Sequence, residues 1–402
     1  MKKTFCIIFA LSALFSCRKP DVERFVDFDS FLPTGTAVTE VVEPDGSLNP
    51  EIRMPEDLGA TTAARAHTTV ARDILGAVTY NSLVQVSGTF TGHDFDGSPL
   101  TQSGKIIYPA HGPIKNFILV SHYTICADFE APSEAFPMEG ILASKGYALF
   151  IADYIGYGVT VNRIHPYLHV SSTARSVVDF ALAAKAYMEK TGHKPLSDEV
   201  ILVGYSQGGS ITMGVMNLIQ REYASELPIK KAYAGGGAYD LAATFDISMA
   251  EDKTGIPCAI PMLVQGINEG EGLGLDMKDF FQPDLLANYQ EWINSKKYTI
   301  GQIGEMMGST ALHELITDMG RDKTSPKTAA FYKALMINST LDFEPQAPVM
   351  LFHCKKDDFV PYENALRAEK RFKSHNIQFD FGDYGSHSTG ALVFLGRVLD
   401  EL

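Results

Sequence analysis

The stretch Val200-Ile201-Leu202-Val203-Gly204-Tyr205-Ser206-Gln207-Gly208-Gly209 decides the architecture. Its first residues are aliphatic and mostly β-branched, the composition of a strand buried on both faces. Gly-Tyr-Ser-Gln-Gly follows, and Ser210 to Ile219 then reads as a helix. Strand, Gly-x-Ser-x-Gly, helix is the setting that a nucleophile elbow requires. So tight a turn strains the serine backbone, and the residues two positions away on either side must lack side chains. Gly204 and Gly208 meet that need. The geometry aims Ser206 into a cleft and places the backbone N–H of Gln207 at a helix N-terminus, where negative charge is favoured.

Working outward, the chain before this stretch alternates. Leu83 to Phe90 and Leu100 to Tyr108 read as a hairpin about the turn His93-Asp94-Phe95-Asp96-Gly97-Ser98-Pro99. Phe117 to His122 is a buried strand, Ser133 to Lys145 has helical spacing, Tyr147 to Asp153 is a strand and Ser171 to Glu189 an amphipathic helix. After the elbow come a helix over Gln207 to Glu222 and a strand over Ile229 to Ala234. A hairpin leading into repeated strand–helix units implies an α/β fold: a mainly parallel central sheet flanked by helices.

Between Gly235 and Pro348 the alternation stops. Helical patches at Pro283 to Ser295 and Ser325 to Ile337 are interrupted by the glycine-rich run Gly266 to Gly274. The block is too long for a loop and reads as an inserted helical cap. The sheet resumes at Pro348 to His353, followed by a helix over Tyr362 to Ser374, a strand over Ile377 to Phe381 and a closing helix from Ser388. The expected division is a core over 76–235, a cap over 236–347 and a second core part over 348–402.

A serine needs a base to take its proton, and the base needs an orienting carboxylate. In a fold of this kind the order along the chain is serine, acid, histidine. His375 and His387 are the histidines beyond the resumed sheet. His375 precedes the last strand and falls on the wrong edge, whereas His387 follows that strand at the carboxyl end, where sites gather. His387 is therefore the expected base. For the acid, Asp357 and Asp358 both leave the strand that ends at His353. The second oxyanion donor, besides Gln207, is expected from the loop after His122. The backbone N–H of Thr124 is the candidate there, and Tyr123 is a competing donor.

Gly204-Tyr205-Ser206-Gln207-Gly208-Gly209, Asp153-Tyr154-Ile155-Gly156-Tyr157-Gly158 and His165-Pro166-Tyr167-Leu168-His169 together resemble the secretory lipase and esterase branch of the α/β-hydrolase superfamily. The likeness runs from about Leu83 to the C-terminus. Asp357-Asp358-Phe359-Val360-Pro361 also resembles the acid loop of many α/β-hydrolases, in which the first aspartate, here Asp357, faces the histidine. The resemblance implies hydrolysis of carboxylic esters of lipids, carbohydrates or small molecules through an acyl-serine, without a cofactor. A serine peptidase on the same fold and a non-catalytic sugar- or lipid-binding lipoprotein are the alternative functions.

Other groupings point elsewhere. His165 and His169 stand four apart, but Pro166 argues for a loop rather than a metal-binding helical face. Gly235-Gly236-Gly237 lacks the Lys-Ser/Thr of a phosphate loop and suggests close backbone approach. Phe280, Phe281, Tyr289 and Trp292 suit the cap's own core better than an acyl pocket.

The 402 residues carry a formal charge of −14, with 45% hydrophobic residues, as an ordinary globular protein with a sizeable core would. That charge argues against nucleic acid as a partner. Met1-Lys2-Lys3 and the apolar run Phe5 to Phe15 form a targeting segment, residues 1–16, to be set aside from the fold. Leu14-Phe15-Ser16-Cys17 resembles the lipobox of bacterial lipoproteins. That resemblance implies cleavage before Cys17, lipidation of its sulfur and a membrane-anchored envelope protein; ordinary secretion is the alternative. Residues 17–75 then read as a tether. With Cys17 acylated, Cys126, Cys258 and Cys354 remain, enough for one disulfide in any of three pairings or for none.

Overall fold

The computed structural model describes residues 28–52, 76 and 78–402. Among these, nine strands, the first of them β1 (Leu32–Glu40), form one sheet in the order β1-β2-β3-β5-β4-β6-β7-β8-β9. β2 (Ser82–His93) and β3 (Pro99–Pro109) form the expected hairpin, with Leu83 opposite Pro109 and His93 opposite Pro99. β3 runs antiparallel to β5 (Ala148–Ala152). From there the sheet is parallel through β4 (Phe117–Ser121), β6 (Val200–Tyr205), β7 (Ile229–Gly235), β8 (Val349–Cys354) and β9 (Ile377–Gly382). This is the mainly parallel, helix-flanked α/β-hydrolase architecture expected from the sequence.

The central strands read as unbroken apolar runs because both of their faces are covered. Phe117, Leu119 and Leu202 pack with the helices Val170–Lys190 and Gln207–Glu222. Ile118, Val120, Ile201 and Val203 point the other way, toward Met138 to Ala143 and the helix His387–Glu401. Successive side chains alternate between two cores, as the period of a strand dictates.

Residues between β7 and β8 fold as helices, among them Leu241–Glu251, Ala259–Glu271, Pro283–Tyr289, Ile300–Met307 and Ala329–Ile337. They share a core of their own around Phe245, Phe280, Phe281 and Phe331, which Tyr167, Leu168 and Cys126 of the sheet domain join. The glycine-rich run is an interruption only in its second half, where Gly272 ends the helix in a left-handed conformation at φ +62°. Gly266 and Gly270 lie inside the helix Ala259–Glu271. A Cβ on Gly266 would strike the backbone of Tyr167, and one on Gly270 the ring of His169. The glycines let that helix press against the segment 166–169, which outweighs their weak helix propensity.

Two other expectations are corrected. Residues 17–75 are not a tether throughout: Leu32–Glu40 forms β1, paired antiparallel with β2. Nearly all of β1 is exposed, so it carries no alternation to betray it. Phe31 just before it is buried, with its ring centre 4.9 Å from that of Tyr187. Ser133 to Lys145 is not a continuous helix either. Pro137 favours an extended residue before it, Phe136 bridges to Ile52, and only Met138–Lys145 turns as a 3₁₀-helix. The targeting segment 1–16 and Cys17 lie outside the described residues.

Candidate active site

Ser206 joins β6 to the helix Gln207–Glu222 with φ +60° and ψ −124°, a conformation that costs energy in any residue bearing a Cβ. Its surroundings hold it there. Its N–H donates to Gly235 O at 2.9 Å, and its carbonyl accepts the N–H of Gly209 at 2.9 Å. A Cβ at Gly204 would collide with Gly208 O, one at Gly208 with Ser121 O, and one at Gly209 with Gly235 O. Both elbow glycines, and Gly237 of the run Gly235-Gly236-Gly237, therefore serve close backbone approach, whereas a Cβ on Gly235 or Gly236 would meet the side chains of Tyr205, Phe394 and His387. Gln207 is the first residue of its helix, so its backbone N–H has no acceptor within it.

Asp357 lies in the loop after β8, and His387 opens the helix after β9, with Ser386 as N-cap. His387 Nδ1–H donates to Asp357 Oδ2 at 2.7 Å. Asp357 Oδ1 accepts the N–H groups of Phe359 and Val360 at 2.9 and 2.7 Å. Its side chain is fully buried. Burial pushes the carboxyl up, but the charge and hydrogen bond of His387, then His353 and the Val360 N–H, outweigh it and hold it below the ordinary aspartate value. Asp358 takes a different part of the same histidine, accepting its backbone N–H at 3.0 Å. The Tyr205 hydroxyl donates to His387 O at 2.8 Å.

With Nδ1 committed to the carboxylate, Nε2 of His387 carries the lone pair. It is buried, and neither Ser206 nor any other described residue is hydrogen-bonded to it. Ser206 and His387 line one cavity of about 180 Å³. Thr124 and Ile125 form part of its wall, Phe136 and Met138 another, and Ile256 and Ile300 of the helical insertion a third.

The loop after β4 is fixed from behind. His122 stacks on Tyr154 with ring centres 3.9 Å apart, and burial pulls its imidazole down to about 4. Thr124 Oγ1 and the Tyr167 hydroxyl share a hydrogen bond of 2.9 Å. Tyr157 OH donates to Ile125 O at 2.5 Å, and Glu130 Oε2 accepts the N–H groups of Cys126 and Ala127. On the elbow side, the Gln207 side-chain amide donates to His165 Nε2 at 2.8 Å, while His165 Nδ1–H donates to Ile155 O at 2.9 Å. Burial, and after it the charge of Lys296, keeps His165 well below the ordinary histidine range, so it stays neutral.

The supporting roles of His165, Tyr157 and Tyr205 were not readable from the sequence. His165 meets Gln207 across 42 positions, and no spacing rule links them. His169 bonds Ser172 Oγ and Glu271 Oε1 and so faces different partners from His165. His375 is exposed before β9. Phe280 and Phe281 are buried in the insertion's core, with Tyr289 and Trp292 packed against it. Cys126, Cys258 and Cys354 are all free and buried; the sulfurs of Cys126 and Cys258 stand 3.8 Å apart.

Residues 129–396 match the family model described as "Secretory lipase". Lipase 6 of Candida albicans is 26% identical over 62% of this chain and 53% of that lipase. A secreted triacylglycerol lipase of Malassezia restricta is 24% identical over 64% of this chain and 53% of its own length. The chain thus spans about half the length of these relatives. Among solved structures, the rice cell wall degrading esterase LipA of Xanthomonas oryzae superposes with a TM-score of 0.72 at 20% identity, covering 93% of this chain and 96% of that one. The match to the family model takes in the elbow, the insertion and the loops after β8 and β9 together, and the chain belongs to the secretory lipase family.

Proposed function

We propose that this protein is a serine hydrolase of carboxylic esters. Ser206 Oγ attacks the acyl carbon as its proton passes to His387 Nε2, and the carbonyl electrons move onto oxygen. The N–H groups of Gln207 and Thr124 hold that oxyanion. When the tetrahedral intermediate collapses, the ester C–O bond breaks and His387 returns the proton to the departing alcohol, leaving acyl-Ser206. Water then attacks the acyl carbon with His387 as base, and the carboxylic acid and free serine are released. Asp357 keeps the imidazole in the Nδ1–H tautomer and stabilises its charged form.

The observation that carries this reading is the Asp357–His387 pair at 2.7 Å, opening on the cavity that Ser206 lines from a strained elbow. The apolar part of the wall suits an acyl chain, and the insertion acts as a cap that limits water at the reacting carbon. The substrate is an ester of a lipid or of a cell-wall component, in line with what its relatives are named for. The protein works outside the cytoplasm, held at the cell envelope through acylated Cys17. Purified protein should hydrolyse p-nitrophenyl butyrate, and Ser206→Ala should abolish turnover and labelling by a fluorophosphonate. Undiminished turnover in that variant would reject the assignment. Cys17→Ala should move the protein from the membrane fraction to the soluble one.

A further inference from the structure

A buried lysine stands where the helical insertion meets the loop after β4. Lys296 is 4% exposed, and its backbone sits at φ +57°, a strained value for a residue with a Cβ. Its carbonyl accepts the N–H of Asp128 at 2.8 Å, which ties the insertion to that loop. Its ammonium lies 4.9 Å from the centre of the Tyr157 ring. The ammonium is not among the sealed, unpartnered polar atoms of the described residues and so keeps a narrow contact with solvent, with the ring as its neighbour inside the fold. An ammonium so nearly buried gives up most of its hydration, and one ring face returns only part of it. Methionine would fill the space without that cost, so packing alone does not account for the charge.

Tyr157 explains what the lysine can reach. The hydroxyl of Tyr157 holds Ile125 O, next to Thr124. Its ring centre is 5.0 Å from that of His165, whose Nε2 holds the Gln207 side chain. Both flanks of the oxyanion hole therefore rest on one aromatic ring, and Lys296 covers that ring from the insertion. We propose that Lys296 is a positioning residue: by pinning Tyr157 it sets the Thr124 and Gln207 donors at the spacing the oxyanion needs. The proposal rests on the ester-hydrolase reading above.

The charged and titratable groups around the lysine are Asp128, which favours its protonated form, the Cys126 thiol, which its contact with Cys258 and burial keep protonated, and His165, which the lysine charge helps to keep neutral. Glu130 and Cys258 act on Cys126 in turn. Burial pulls the Lys296 ammonium down to about 8. Its charge is thus present below that pH and lost above it. Lys105 is also brought to about 8 by burial, and it donates to Ala135 O in the cavity wall, so the pH test must separate the two lysines.

The experiment compares the full-length wild type with Lys296→Met, Lys296→Arg and Tyr157→Phe, measuring kcat and KM on p-nitrophenyl butyrate from pH 6 to 9. Lys296→Met, folded by circular dichroism, should keep KM within about twofold and lose at least about tenfold in kcat. Wild-type kcat should decline near pH 8, that decline should be absent in Lys296→Met, and Lys296→Arg should recover part of kcat and move the decline out of range. Tyr157→Phe, which removes only the hydroxyl, should lower kcat in the same direction, and if Lys296→Met does not fold the matter is decided by Lys296→Arg, whose kcat should no longer decline near pH 8. A kcat within twofold of wild type in folded Lys296→Met overturns the proposal, as does a decline near pH 8 that persists in it, which would belong to Lys105. A wild type without turnover or fluorophosphonate labelling defeats the hydrolase reading instead. An active wild type with insensitive variants defeats only the role of Lys296.

Discussion

Asp357 Oδ2 stands 2.7 Å from His387 Nδ1, while Asp358, one residue on, holds the backbone N–H of the same histidine at 3.0 Å. Two adjacent carboxylates divide one residue: one orients the ring, the other fixes the start of its helix. Only the first can change the tautomer of the imidazole.

Asp357→Asn should therefore lower kcat on p-nitrophenyl butyrate by about 10³–10⁴-fold, because a neutral amide does not stabilise the imidazolium and permits the wrong tautomer. Asp358→Asn keeps an oxygen for the backbone N–H and should lower it by less than about tenfold. Steady-state kinetics of the two variants check this ordering, and equal losses would contradict the division of roles.

Gly208→Ala should be damaging out of proportion to one methyl group. The added Cβ would collide with Ser121 O at the end of β4, with no flexible side chain to yield. Forcing backbone apart in a packed core costs about 1–3 kcal/mol, and here it also displaces Ser206. A fall in Tm together with loss of esterase activity is expected from thermal denaturation and rate measurements.

Thr124→Val tests which atom of Thr124 matters. The variant keeps the backbone N–H but loses the bond to Tyr167 OH, so kcat should fall by less than about tenfold. Loss of a true oxyanion donor would cost about 10²–10³. A loss of that size in Thr124→Val would assign the donor to the hydroxyl instead.

Glu139 sets a pH dependence of stability. It is buried, neither carboxyl oxygen has a hydrogen-bond partner among the described residues, and burial pushes its carboxyl up to about 7. Because the folded value lies above the ordinary one, stability is full below about pH 4.5 and is lost as the pH rises through 7. The wild type should therefore lose on the order of 3 kcal/mol at most between pH 5 and 8 relative to Glu139→Gln, a few degrees in Tm. Parallel melting curves at the two pH values provide the measurement.

The sheet was legible because its central strands are covered on both sides, leaving runs such as Phe117 to Val120 with no polar residue among them. The candidate site was legible where backbone geometry demands particular residues, as at Gly204 and Gly208, or where chain order restricts the choice, as for His387. β1 escaped notice because a strand exposed along nearly its whole length carries no hydrophobic period. The glycines of the helix Ala259–Glu271 misled because their partners, Tyr167 and His169, lie about a hundred residues upstream. Lys296 and Tyr157 are in the same position: each is ordinary in its own neighbourhood and acquires meaning only through what the fold brings beside it.

The first strand bears on how the protein can be handled. A shortened version begun at Tyr80, where hydrophobic patterning first becomes clear, would lack Phe31 and bare the rings of Phe180 and Tyr187 that it covers. It would also turn β2 into an open edge twelve residues long, with unsatisfied amides inviting another chain to pair. Trimmed expression vectors should keep everything from residue 28 onward, or they will yield a domain that pairs with its own copies.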